Sequence, residues 1–254
     1  MKITFLGTGT SQGIPVIACH CAVCSSSDQR DKRLRVSVLV ETQGKVIVID
    51  AGPDFRYQML RAGVQHLDAI VFTHEHKDHV AGLDDVRAFN YKQQSEVDVY
   101  AHKRVQEALK REFSYIFSHV KYPGVPRIKM HEISADTPFS ISGVEFIPVE
   151  VMHFQLPVLG FRIGKFTYLT DAKTISEEEK EKVKGTEILV INALQQEKHI
   201  SHFTLDEAIH FAEEIGARET YFTHLSHRMG RHEDISKLLP PNIHLAYDGL
   251  VLEV

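Results

Sequence analysis

No part of the 254-residue sequence is an unbroken apolar run long enough to span a bilayer. The opening MKITFLGTGTSQG also lacks the apolar core of a secretory leader. Nothing therefore points to a membrane, and the expected location is the cytoplasm. Charge of either sign is not in great excess. With 29 Lys and Arg against 34 Asp and Glu, the formal net charge is −5, so no overall positive field draws the chain toward nucleic acid or an anionic surface. Cysteine is scarce, with three copies, all between positions 19 and 24. Three thiols cannot all pair within one chain, and clustered thiols in a reducing compartment bind metal more often than they form disulfides. Linkers, repeats and low-complexity stretches are missing too, so one domain over 1–254 is expected.

What is present alternates between strand and helix signals. Residues 2–6 read as a strand entering a Gly-Thr-Gly-Thr turn. The β-branched stretches 36–41 and 45–50, joined by Thr42-Gln43-Gly44, read as a hairpin. A helix is expected from Asp54 to Ala62, after Pro53 and before Gly63, with Asp54 capping it. Further strands are expected at 69–73, 97–100, 144–151, 158–163, 166–170, 188–194 and 220–224, and another strand or hairpin at the end of the chain. Helices are expected at 103–113, 175–184 and 204–215. The aromatic, proline-containing segment 114–127 has no secure placement. Strands cluster early and again after 140, an order that fits two packed sheets covered by helices better than one doubly wound sheet.

Histidine is the anomaly, with 16 copies, and its placement matters more than its number. The apolar run Ala69-Ile70-Val71-Phe72-Thr73 leads straight into His74-Glu75-His76-Lys77-Asp78-His79. Extended residues two apart share a face, so His74 and His76 can aim at one point. As the chain turns toward Gly82, Asp78 and His79 can reach a neighbouring point. Imidazole nitrogens with carboxylate oxygen suit zinc, manganese or iron. A second ligand group is Cys19-His20-Cys21-Ala22-Val23-Cys24. Cys19, Cys21 and Cys24 can occupy three corners of a tetrahedron. His227 is the preferred fourth corner, with His20 and His232 as the other candidates. Such a closed site would hold a structural zinc.

The HxHxDH run resembles the signature of the metallo-β-lactamase superfamily. That resemblance implies an α/β (α+β) fold, a four-layer αββα sandwich, and further ligands at later strand ends: His153, Asp171 and His224. It implies one metal on His74, His76 and His153, a second on Asp78, His79 and His224, and Asp171 bridging them. Asp50, closing the strand KVIVID, matches a family position whose carboxylate supports the ligands from behind.

Within the superfamily the cysteine cluster after GTGTSQGIP, then IDAGPDFR, LTDA, SHFT and THLSH, resembles the PhnP group of phosphodiesterases, which open phosphoribosyl 1,2-cyclic phosphate. The implied reaction is metal-assisted attack of a bridging hydroxide on the phosphorus of a small cyclic phosphodiester. Asp78 would orient the nucleophile as well as bind metal. His202 matches a family histidine that contacts phosphate and assists the leaving group, with His199 as the other candidate. A histidine with pKa near neutrality could hydrogen-bond to the departing oxygen or protonate it. Arg87 is expected in a structural ion pair rather than on substrate phosphate. Three readings compete: a tRNA 3′-end nuclease, a thioester or lactam hydrolase, and a non-enzymatic accessory protein of cofactor biosynthesis like the PqqB group. A homodimer is implied by resemblance alone.

Overall fold

The computed structural model describes residues 1–118 and 122–254. Alternating side chains build its sheets. In β2 (Ser37–Thr42) and β3 (Lys45–Ile49), Val38, Val40, Ile47 and Ile49 enter one core while Leu39 and Val48 enter another. Successive side chains leave a strand on opposite faces, so a strand covered on both sides reads as a continuous apolar run.

One sheet contains β1 (Lys2–Gly7), β2, β3, β4 (Ala69–Val71), β5 (Val97–His102) and β6 (Ile128–Ile133), joined by β15 (Val251–Glu253) in the order β15-β1-β2-β3-β4-β5-β6. The other contains β7 (Phe139–Ile141), β8 (Val144–His153), β9 (Leu156–Ile163), β10 (Phe166–Tyr168), β11 (Thr174–Ile175), β12 (Ile188–Asn192), β13 (Glu219–Thr223) and β14 (Ile243–Leu245). Its order is β11-β8-β9-β10-β12-β13-β14, with β7 on β8. Phe5, Val38 and Ile49 of the first sheet meet Phe146, Phe161 and Tyr168 of the second in the central core.

Helices cover the outer faces. On the first sheet lie α1 (Phe55–Ala62), α2 (Lys77–Val80), α3 (Arg87–Gln93) and α4 (Lys103–Glu112), burying Phe55, Met59, Val80, Phe89, Val105 and Leu109. The short α5 (Ser114–Phe117) follows α4. The second sheet carries α6 (Glu177–Val183), α7 (Leu205–Ile215) and α8 (His232–Ser236), through Val183, Phe211, Ala212 and Ile235. The four-layer sandwich is thus the observed architecture. Among the described residues no helix is long and apolar enough to cross a membrane.

The expected elements appear within a few residues of their places, and β6, β7, β11, α2, α3 and α8 are additions. The unplaced segment 114–127 begins as α5, and its residues 119–121 lie outside the described ones. Asp54 corrects an expectation. It stands at the start of α1 but makes no side-chain capping bond; its carboxylate instead accepts from the Arg35 backbone N–H at 2.8 Å and from the guanidinium at 3.1 Å. A charged fork offers more hydrogen bonds than one helix amide.

The strand directions decide where a site can form. β3, β4 and β5 run parallel, as do β10, β12 and β13, and β8 runs antiparallel to β9, which is antiparallel to β10. Within each sheet the carboxyl ends of these strands, β9 apart, share an edge, the usual place for a ligand crevice in an open α/β sheet.

Candidate metal centre

The residues that follow those strand ends converge. β3 precedes Asp50, β4 leads into His74–His79, β8 ends on His153, β10 precedes Asp171 and β13 precedes His224. Asp50, Asp171 and His224 have φ of 63°, 56° and 55°. Each bends its strand end into the left-handed region, which costs a non-glycine residue about 1–2 kcal/mol. Strain repeated at three such positions marks a built site. Two glycines let the ligand turn pack closely. A Cβ on Gly52 would lie 1.9 Å from the Asp78 carbonyl oxygen, and one on Gly82 would lie 2.1 Å from that of Gly52. The Ala51 amide donates to His79 O, and the Gly82 amide to Ala51 O, both at 2.8 Å.

Asp171 sits at the centre, buried. Its Oδ2 is 3.2 Å from His79 Nε2, while its Oδ1 is 3.4 Å from His224 Nε2 and 3.7 Å from His202 Nδ1. Asp78 Oδ2 lies 3.4 Å from His79 Nε2 and 3.6 Å from His224 Nε2. Three groups result, each with ligand atoms within 4.8 Å of one another: His74, His79 and Asp171; Asp78, His79 and His224; His153, Asp171 and His202. His76 belongs to none of them, but its ring centroid is 4.6 Å from that of His74 and 5.2 Å from that of His153. Every residue implied as a dinuclear ligand therefore lies in one basin. His76 is the exposed member.

Hydrogen bonds behind the basin determine which imidazole nitrogen faces it. Asp50, fully buried, accepts from the Thr73 amide at 2.9 Å, the Thr73 hydroxyl at 2.8 Å and His79 Nδ1 at 2.7 Å. With its proton given to Asp50, the Thr73 hydroxyl can only accept from His74 Nδ1, 3.0 Å away. His153 Nδ1 donates to the Ser201 carbonyl at 2.9 Å. In all three rings Nδ1 is thus the hydrogen-bearing atom turned away and Nε2 the atom turned inward, the one a metal would take in place of a proton. The buried Nε2 atoms of His74, His79 and His224 have no hydrogen-bond partner. His79 Nε2 is within ion-pair distance of two carboxylates without meeting hydrogen-bond geometry. Unpartnered buried nitrogens around carboxylates fit divalent cations.

His202 is buried beside these groups, its ring centroid 4.4 Å from His153 and 4.8 Å from His224. Its place is set by the bonds Phe203 N to Ala172 O at 2.8 Å and Leu194 N to Phe203 O at 2.9 Å. The Thr204–Glu207 capping box of α7 follows at once. Burial pushes its pKa down to about 3, against the pull of Asp171. It is therefore neutral at pH 7, a correction to the near-neutral pKa expected of it. His199 lies at the rim, its ring 5.2 Å from that of His202. Arg87 pairs with Asp84 at 3.4 Å, in line with a structural role.

The second ligand group also assembles. His227 Nδ1 is 3.3, 3.5 and 3.6 Å from Cys19, Cys21 and Cys24 Sγ. Tetrahedral zinc with Zn–S of about 2.3 Å and Zn–N of about 2.0 Å needs edges near 3.5 Å, so the four atoms fit that ion. Amides of Cys24 and Val16 point at Cys21 and Cys24 Sγ, and the first of these holds the Cys21 thiol down at about 6. His232, the rival fourth ligand, has its Nδ1 engaged by the Arg33 guanidinium at 3.2 Å, while its backbone amide donates to Asp31. The cluster is not alone in tying the amino-terminal loop to the His224 turn. Leu225 N donates to Thr8 O at 2.9 Å, and Thr10 N to Leu225 O at 3.0 Å.

Sandwich, strand-end ligands and inward-turned imidazoles define a metallo-β-lactamase type of fold and site. Residues 45–225 match the Beta-lactamase superfamily domain, and the chain belongs to that superfamily and, within it, to the PhnP family. A crystal structure described as a new diphosphatase from the PhnP family superposes with TM-score 0.93 at 43% identity, covering 100% of this chain and 97% of that one. The octanoyltransferase of Porphyromonas gingivalis (strain ATCC BAA-308 / W83) is 44% identical over 252 residues, 98% of this chain and 51% of that protein. The chain spans about half the length of the first curated relatives it matches. Zn(2+)-bound PqqB from Methylobacterium extorquens shares the fold at TM-score 0.83 and 18% identity, with 100% of both chains covered.

Asp50→Asn tests the bracing behind the ligands. An amide in place of the carboxylate sets a donor against the Thr73 hydroxyl or His79 Nδ1, and favours the His79 tautomer with hydrogen on Nε2. Metal affinity, read by competition with a chromogenic chelator, should fall about 10–100-fold. Unchanged affinity would remove Asp50 from this role.

Proposed function

We propose that the chain is a metal-dependent phosphodiesterase acting on a small cyclic phosphodiester. It would hold two divalent ions (zinc or manganese, or iron) in the basin and one structural zinc on Cys19, Cys21, Cys24 and His227. The observation that supports this most is the position of Asp171, whose two carboxylate oxygens face histidines on opposite sides of one buried basin. Ions held there would lower the pKa of water and neutralise charge on phosphoryl oxygens. The protein's own contributions follow from the geometry. Asp78, less buried than Asp171, is placed to orient an attacking water. His202, a neutral imidazole, is placed to donate a hydrogen bond to a phosphoryl or departing oxygen. His76 and His153 border the open side, where substrate would enter. A formal charge of −5 argues against the many phosphate contacts that a nucleic acid requires.

Metal analysis and an activity panel on one preparation test the reading. About two equivalents should exchange with chelator while one zinc resists it. Reloaded protein should cleave cyclic phosphodiesters but neither precursor tRNA nor thioesters. Preference for a diphosphate would move the reading toward the activity named for the 43%-identical diphosphatase. No hydrolysis of any phosphodiester by fully loaded protein would end the proposal and favour a binding protein.

A further inference from the structure

The β8–β9 hairpin carries a residue that neither packing nor turn chemistry explains. His153 pairs with Leu156, so Phe154 and Gln155 form a two-residue turn. Phe154 takes φ 57°, the first central position of a tight hairpin turn, where glycine or asparagine is the usual occupant. Its ring gains no burial in return, being 54% exposed. Across from it Ile200 is 68% exposed. Both border a cavity of about 510 Å³ whose wall includes His76 and His153 of the metal basin, with Gln155 and Ser201 as polar members. Single exposed apolar residues are ordinary, but two large ones flanking a cavity that opens on candidate metal ligands are not. The hairpin is also braced: Arg104 donates to Pro157 O at 2.6 Å and pairs with Glu75 of the ligand turn at 2.8 Å. Phe154 is therefore held at a set place beside the basin.

We propose that Phe154 is a substrate-recognition residue whose ring stacks on a planar heteroaromatic group carried by the phosphodiester substrate. This rests on the phosphodiesterase reading and narrows its substrate to esters bearing such a ring. The occupant is taken to be the substrate's own group because the cavity is continuous with the basin. Gln155 and Ser201 offer hydrogen bonds to the edge of a flat heterocycle, which an aliphatic chain would leave unmet.

The test compares thymidine 5′-(4-nitrophenyl phosphate) with methyl 4-nitrophenyl phosphate on metal-loaded protein. The leaving group is common to both, so only the remaining substituent differs. For the natural chain the methyl ester should show a KM about tenfold higher than the thymidyl ester. In Phe154→Ala and Phe154→Leu the ratio should fall to about one, and in Phe154→Trp it should persist. Phe154→Gly should match the alanine variant in KM ratio yet unfold at no lower temperature, since glycine suits the turn. A ratio unchanged by alanine, or restored by leucine, overturns the stacking. If loaded protein cleaves neither ester, the cyclic phosphodiester panel decides the phosphodiesterase reading separately. Equilibrium dialysis of thymidine 5′-monophosphate then decides the ring contact: about tenfold weaker binding to Phe154→Ala supports it, and equal binding overturns it.

Discussion

Asp171→Asn should lose phosphodiester hydrolysis by about 10³–10⁴-fold while keeping its fold. Asparagine matches aspartate in size and is among the few residues that enter the left-handed region readily, so the strain at φ 56° is no obstacle. What disappears is charge. Burial opposes ionisation of this carboxyl, yet His224 and His79 beside it hold its pKa well below the usual carboxylate range. It is thus a fixed anion at the meeting point of the ligand groups. An amide there offers one oxygen where the carboxylate faces His79 with one and His224 with the other. The ions of the proposed reaction would supply several kcal/mol of transition-state stabilisation. At about 1.4 kcal/mol per tenfold, losing about 4–5.5 kcal/mol gives the stated range. The measurement is kcat/KM alongside metal content and melting temperature. Normal metal content with near-normal turnover would show that the basin works without a central carboxylate.

How much of this was legible depended on how local each signal was. The β-branched runs ending in Asp50, His74 and His224 are local, so strands and the order of ligands could be read directly. HEHKDH and the cysteine cluster carry their chemistry in their spacing. Three-dimensional features were hidden. The left-handed backbone at Asp50, Asp171 and His224 is imposed by contacts between distant strands, and no residue preference announces it. Thr73, which relays between Asp50 and His74, looks like an ordinary strand threonine. His227 could be preferred from its place three positions after His224, but the buried Arg33 that claims His232, a partner 199 positions away, could not be read. The edge strand β6 mixes polar and apolar residues because its side chains are only partly covered, so it lacks the pattern that reveals interior strands. Asp54 was misassigned because position suggests a cap while charge prefers Arg35.

His202→Ala should lower kcat about 10²-fold with both basin metals still bound. The residue is distinguishable from His74, His79 and His153 by what holds it, and resembles His224, whose Nδ1 is likewise buried without a partner. His74, His79 and His153 each have an Nδ1 donor bond that turns Nε2 inward. His202 Nδ1 is buried without a hydrogen-bond partner and is 3.7 Å from Asp171, at the long end of ion-pair contact. A side chain left less constrained than its neighbours is suited to a group that arrives with substrate. Removing the ring also leaves space between His153 and His224, so metal content must be measured with the rate. His202→Gln retains an N–H donor of similar reach and should recover about a tenth of the lost activity or more, whereas a ligand role would predict recovery only where metal returns. Stoichiometric loss of one metal from His202→Ala would transfer the residue to the ligand set with His153 and Asp171. Full activity in the alanine variant, with metals in place, would take it out of the reaction altogether.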